Sequence, residues 1–284
     1  MYEKLKKALK EKFIYWNQEI IDDDVMDFST YDLTKYISSG NKLKLYRYMP
    51  ASYFNIRNLE TKTIHLSANG VMNDIYEGIP RTRNSISYCQ MQKLSNLAYM
   101  NCMAEENDNI LMWSHYADQN TGICVEYDIS QLAEDPFAIK KHLFPVLYEK
   151  NRIIERDTDS LIESLIELNK AIEEDYVYEG KECLDDILPL FLVKGIPWRY
   201  EKEWRIIFTR KQMYDINETQ LYEGNLYFPC TTAVYMGYRI HPEIRRNIVE
   251  IAKRSAERGK PLKVYRTMLE KKKYGVYFEE VHEI

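Results

Sequence analysis

Apolar residues open the chain at helical spacing. Leu5, Leu9, Phe13 and Trp16 fall four, four and three apart, which predicts a helix over residues 2–20. A polar link, IDDDVMDFSTYD, follows. The pattern then changes to short apolar runs. Strands are predicted over 42–49 (KLKLYRYM), 62–68 (KTIHLSA), 97–104 (LAYMNCMA), 123–128 (ICVEYD, read as alternating) and 144–149 (FPVLYE). Residues 71–81, VMNDIYEGIPR, concentrate Asn, Asp, Gly and Pro and read as a loop. Residues 107–118, NDNILMWSHYAD, read as a short helix with Asn or Asp at its start.

The middle of the chain is helical again. Leu161, Leu165 and Leu168 share a face over 158–175, and a second helix is predicted over 181–195. Strands return at 203–210 and 232–238. A helix over 241–260 follows, with Pro242 in its first turn and Gly259 near its end, and two strands close the chain. Strands in clusters, without regular alternation with helices, predict an α+β fold with a mixed, largely antiparallel sheet. The expected organisation is an N-terminal helical segment (1–40) and a single α+β domain (41–284) carrying a helical insertion at about 155–197.

Hydrophobic residues make up 45% of the 284, enough for a substantial core and too many for a disordered chain. A formal net charge of −5 offers no general basic field to nucleic acid and leaves room only for a local patch. The five cysteines are scattered, with no C-x-x-C, so a reducing compartment without a disulfide framework is expected. The five histidines lack ligand spacing, so no metal is expected. The start lacks an apolar signal core, and no run of about 18 apolar residues appears, so a cytoplasmic protein without membrane contact is expected.

No glycine-rich phosphate loop and no nucleophile elbow is present. Three polar clusters remain. In LYRY, Arg47 lies between Tyr46 and Tyr48; it is either an edge arginine packed on tyrosines or a rigid guanidinium for phosphate. In NDIYE and MWSHYAD, Asn73, Asp74 and Glu77 suit a turn, and His115 beside Trp113 is expected to be buried and structural, while Tyr116 is a candidate pocket wall. In RYEKEWRIIF, Glu201 and Glu203 stand two apart before a strand and are expected on one pleat face, among Trp198, Tyr200 and Trp204. That pair is either a solvated strand face or a carboxylate pair in an aromatic pocket.

Taken in order, LYRY, NDIYE, MWSHYAD with GICVEYD, and W-x-YEKEWRI resemble a bacterial family catalogued as domain of unknown function 2971. The resemblance runs over roughly residues 43–210. It departs at Ile75, where the family loop carries proline. A second resemblance is to mono-ADP-ribosyltransferases of the arginine, serine, E-x-E type. Arg47 matches the arginine and Glu201 and Glu203 match E-x-E, while Ser67 stands for the serine without the usual S-T-S run.

That resemblance implies NAD as substrate, with an acceptor, protein or nucleic acid, left open. Glu203 would stabilise the oxocarbenium-like centre, and Glu201 would take the proton of the incoming nucleophile. Arg47 would clamp pyrophosphate, and Tyr48, Tyr116 or Trp198 would stack on nicotinamide. Exchange of either glutamate for glutamine is expected to leave the fold intact. A toxin or phage-defence role follows from family company. Two other readings stay open: a non-catalytic nucleotide- or protein-sensing module, and a metal-dependent nuclease using Asp74, Glu77 and both glutamates.

Overall fold

The computed structural model describes residues 7, 33–68, 72–76, 98–132, 139–150, 190–209, 213 and 225–282. The helix expected over 2–20, most of the insertion expected at 155–197, and Glu77 lie outside the described residues.

In chain order the elements are α1 (Leu33–Ser38), β1 (Lys44–Met49), α2 (Tyr53–Thr61), β2 (Thr63–His65), β3 (Ser67–Ala68) and β4 (Ala98–Ala104). Then come α3 (Ile110–His115), β5 (Ile123–Asp128), β6 (Leu143–Pro145), β7 (Leu147–Glu149), β8 (Val193–Gly195) and β9 (Glu203–Thr209). The last are β10 (Asn225–Tyr227), β11 (Thr231–Met236), α4 (Pro242–Glu257), β12 (Lys263–Leu269) and β13 (Val276–Glu280).

The fold is α+β around a mostly antiparallel sheet. Among the described residues its strands run β13-β12-β11-β5-β1-β4-β9-β6, with β3 also on β4. Within this sheet, among the described residues, only β11 and β12 pair in parallel, and α4 makes the crossover between them. Its His241 cap accepts from Glu243 N, and Ile248, Ile251 and Ala252 form its buried stripe.

Three predicted elements are cut short by local pairing. The run 62–68 breaks at Leu66, so that β2 pairs with β10 and β3 with β4. The run 144–149 breaks at Val146, whose N–H donates to Glu203 O; β6 stays on β9 while β7 turns away to β8. The helix expected to reach residue 195 gives way to β8 at Val193. Helix α2 is not among the predicted elements. It has only Ile56 and Leu59 buried, and Ser52 caps it by accepting from Asn55 N.

The sheet is covered on both faces, which is why β5 is buried at all six positions instead of alternating. One face carries the larger core, with Leu45, Val125, Trp204, Ile206 and Val234 under α2 and α4. The other holds Tyr48, Ala104, Trp113, Cys124 and Tyr235 under α3. Gly122 joins α3 to the sheet. A β-carbon there would lie 2.3 Å from Met49 O and 2.9 Å from Ala117 C and O, all backbone atoms. Gly122→Ala is therefore expected to lower the unfolding free energy by on the order of 3 kcal/mol, read from the urea midpoint at unchanged slope.

Candidate functional site

The site begins with a gap in the sheet. Strands β1 and β5 pair along their whole length, whereas β1 and β4 share only Tyr46 opposite Ala104. Beyond that pair the strands part, and β3 takes up the edge of β4 at Met100 and Tyr99. A cavity of about 250 Å³ lies at the parting, lined among others by Arg47, Ser67, Asn73, Cys102, Tyr116 and Lys194.

Tyr48, Glu201, Glu203 and Arg205 also line it. The register puts Tyr46, Ala104 and Glu203 on one sheet face, because cross-strand partners share a face. Arg47, one residue along from Tyr46, therefore starts from the opposite face. It reaches the same cavity as Glu203 because the strands have separated. Its Nη1 donates to His65 O at 3.3 Å, and among the described residues it forms no ion pair with a carboxylate.

Glu201 and Glu203 converge, but not as pleat neighbours. Glu201 ends a 3-10 helix spanning Ile196–Glu201, Lys202 takes a left-handed conformation (φ 44°), and β9 starts at Glu203. The turn sends the Lys202 side chain away to Glu106 and aims both glutamates at Lys194. Both carboxylates are buried, at 3% and 5% exposure, so the solvated-face alternative fails.

Lys194 Nζ donates to Glu201 Oε2 at 2.6 Å and to Glu203 Oε2 at 3.1 Å. Arg205 clasps Glu203 with two donors, Nε to Oε1 at 2.8 Å and Nη2 to Oε2 at 2.9 Å. Its Nη1 donates to Phe191 O. Tyr116 donates to Glu201 Oε1 and accepts from Asn73 Nδ2 at 2.6 Å. The backbone N–H of Glu203 donates to the Tyr148 hydroxyl at 2.8 Å. These bonds make a buried quartet of two cations and two anions, with a tyrosine on its open side.

The two glutamates are pushed apart in acidity. Burial raises the pKa of Glu203, but Arg205 and then Lys194 outweigh it and hold the carboxyl down at about 2. Burial and the neighbouring Glu203 raise that of Glu201, against the opposing pull of Lys194 and Tyr116. Lys194 is penalised by burial but held protonated by its glutamates, with a net upward shift. Glu203 is thus a fixed anion, and Glu201 is the group of the pair poised to exchange a proton.

The remaining candidates divide. Tyr48 lines the cavity, donates to Glu106 O at 2.9 Å, and packs edge-on to Trp113 with centroids 5.3 Å apart. Trp198 lies behind the cavity, its ring 4.8 Å from Lys194 Nζ, a cation–π contact rather than a free stacking face. His115 is exposed, not buried. Helix α3 turns Trp113 inward and leaves His115 at its open end, with Nδ1 3.1 Å from the Tyr200 hydroxyl. Asp74 closes a turn by accepting from Tyr76 N.

Lys194, Arg205 and Tyr148 were not among the sequence candidates. Arg205 had a signal: Glu203 and Arg205 stand two apart on one strand, and so on one face. Lys194 had none, because only the β7–β8 pairing brings it to the glutamates.

The structure defines an α+β chain whose split central sheet holds a small cavity floored by a neutralised Lys–Glu–Glu–Arg quartet and walled also by Met72, Met100, Met103 and Met112. Residues 112–206 match the model of a family described as "Protein of unknown function (DUF2971)". The match takes in Tyr116, Lys194, Glu201, Glu203 and Arg205, the quartet and its tyrosine, and leaves out LYRY and NDIYE. No curated protein and no solved structure matches the chain. Among the described residues no helix is long and apolar enough to cross a membrane, and no group of three or more His, Cys, Asp or Glu is placed to hold a metal ion.

Proposed function

We propose that the chain is an NAD-consuming enzyme of the mono-ADP-ribosyltransferase-like kind, reacting in the cavity between β1, β4 and β9. The observation that carries this reading is the convergence of Arg47, Ser67 and the Glu201–Glu203 pair on one cavity from three separate segments. At about 250 Å³ the cavity is smaller than a site for a whole dinucleotide. It suits nicotinamide and its ribose, with the pyrophosphate held at Arg47 and the adenylate end outside.

The glycosidic carbon–nitrogen bond breaks with its electron pair leaving on nicotinamide, which departs neutral. The ribose carbon becomes oxocarbenium-like and accepts the nucleophile's electron pair. The nucleophile's proton passes to Glu201. Both Glu203 oxygens are already engaged, so Glu203 contributes a fixed negative charge and holds Lys194 and Arg205 in place. Roles within the E-x-E pair thus shift toward Glu201 as the ligand-facing residue. Such chemistry draws on the cytoplasmic NAD pool and suits a toxin or phage-defence effector.

Nicotinamide release from NAD by the full chain, with and without cell extract as acceptor source, tests the reading. Arg47→Ala is expected to lower kcat/KM by about 10- to 100-fold, mostly through KM, as for loss of a charged hydrogen bond. Release by neither wild type nor extract-supplemented wild type sinks the proposal. The full engagement of both Glu203 oxygens favours one second reading, a non-catalytic module that binds a ribose phosphate unchanged. Saturable NAD binding without turnover supports that module.

A further inference from the structure

Away from the cavity, two hollows of about 690 and 750 Å³, the first beside α2 and α4 and the second toward Glu126 and Tyr235 on the other face, share Lys62, Tyr227, Thr231 and Lys260 in their walls. They meet at those four residues, where the end of α2, strand β10 and the end of α4 form a groove. Lys62 caps α2 in a left-handed conformation (φ 55°), which fixes its backbone. Arg258 caps α4, and Lys260 follows it after the turn at Gly259. Lys263, at the start of β12, extends the line of cations.

The acids nearby are already engaged. Glu60 pairs with Arg254 at 2.8 Å, and Glu126 is held by Lys44, Thr232 and Tyr235. Asp128 caps its own turn through Ser130 and Gln131. Among the described residues no carboxylate pairs with Lys62, Arg258, Lys260 or Lys263. Cations after a helix complement its dipole, which accounts for Arg258 and Lys260. It accounts for Lys62 at the end of α2 too, but not for the meeting of cations from two helix ends in the wall of one hollow. Burial and then repulsion from Lys260 and Arg258 push the Lys62 pKa down. Between these cations Tyr227 is 41% exposed, an aromatic face beside a basic groove.

We propose that this groove binds single-stranded nucleic acid, its phosphates running past Lys62, Arg258 and Lys260 and a base stacking on Tyr227. The hollows are several times larger than a lone phosphate needs. A free aromatic face between cations suits an unpaired base, since stacking on a side chain needs no particular sequence. A duplex keeps its bases stacked on each other and offers Tyr227 nothing. The overall charge of −5 makes this groove a local exception on the chain rather than part of a general field. The assignment is independent of the NAD reading.

Fluorescence anisotropy of a labelled oligo(dT) of about twelve nucleotides tests it. Three phosphate contacts on a single strand predict a slope of about −2 in log K against log salt, or about 20-fold weaker binding from 50 to 200 mM. Lys62→Ala and Lys260→Ala are each expected to flatten that slope by about 0.7. Tyr227→Ala is expected to weaken binding about tenfold at unchanged slope. Unchanged melting temperatures confirm that the variants remain folded. No binding at about 100 μM protein, equal affinity for duplex, or indifference to the lysine variants overturns the proposal. Displacement by inorganic pyrophosphate with no effect of Tyr227→Ala also overturns it, leaving a phosphate site only.

Discussion

Glu203→Gln is expected to destabilise the fold by about 3–5 kcal/mol, the loss that follows when one partner of a buried ion pair is removed. Glutamine keeps the size of the side chain but leaves Arg205 and Lys194 buried around a neutral amide. Arg205 is 1% exposed and Lys194 6%, so neither can turn to solvent without unpacking the sheet. This corrects the expectation from sequence that the fold would tolerate the change, which assumed a partly solvated carboxylate.

The same charge makes stability depend on acidity. In the native chain Glu203 stays ionised down to about pH 2, whereas the unfolded chain protonates it near its ordinary 4.5. Between those values the unfolded state binds more protons, so stability falls as pH drops from 4.5 toward 2. The loss amounts to about 3 kcal/mol. Urea unfolding measures the first effect at pH 7 and the second at pH 3, where wild type should already have lost about 2 kcal/mol of that total. A glutamine variant as stable as wild type at pH 7 would show that the quartet contributes nothing net.

Much of the fold was legible because the core-facing strands carry their signal locally. β4, β5, β9, β11 and β12 lie where their apolar runs place them, and α4 has its proline, its stripe and its glycine stop. Missed features depend on pairing across the chain. The breaks at Leu66 and Val146 occur where one apolar run is shared between two strand partners, which no periodicity reveals. The expectation for His115 rests on Trp113, but residues two apart on a helix point about 200° away from each other, and only Trp113 points inward.

The site was half legible for the same reason. The glutamate pair, Arg47 and Tyr116 announce themselves as polar residues within apolar runs. Their neutralisation by Lys194 depends on a parallel pairing of β8 with β7. The meeting of Arg47 with Glu203 depends on strands that part after a single pair. A period-two argument alone puts that arginine and that glutamate on opposite sides of the sheet.

Glu201→Gln is expected to lower nicotinamide release by about 100-fold or more while leaving the protein folded, the opposite division from Glu203→Gln. Glutamine can still accept from Tyr116, and Lys194 retains Glu203 as its partner. Removing the Glu201 charge also relieves its repulsion with Glu203, which is among the forces that raise the Glu201 pKa. For Glu201 the linkage runs the other way: its folded pKa lies above the unfolded value, so its charge costs stability as pH rises from 4.5 through the raised value. The variant loses that cost, and its stability at pH 7 should stay within about 1 kcal/mol of wild type. What it loses is a proton acceptor, and general-base assistance is typically worth about 100- to 10,000-fold. In wild type kcat/KM should rise with pH as Glu201 ionises, with a limb above 4.5; in the variant that limb should flatten. Full activity with an unchanged pH limb assigns the proton transfer elsewhere. A stability loss as large as that of Glu203→Gln means that the four charges act as one unit and that the two glutamates have no separate roles.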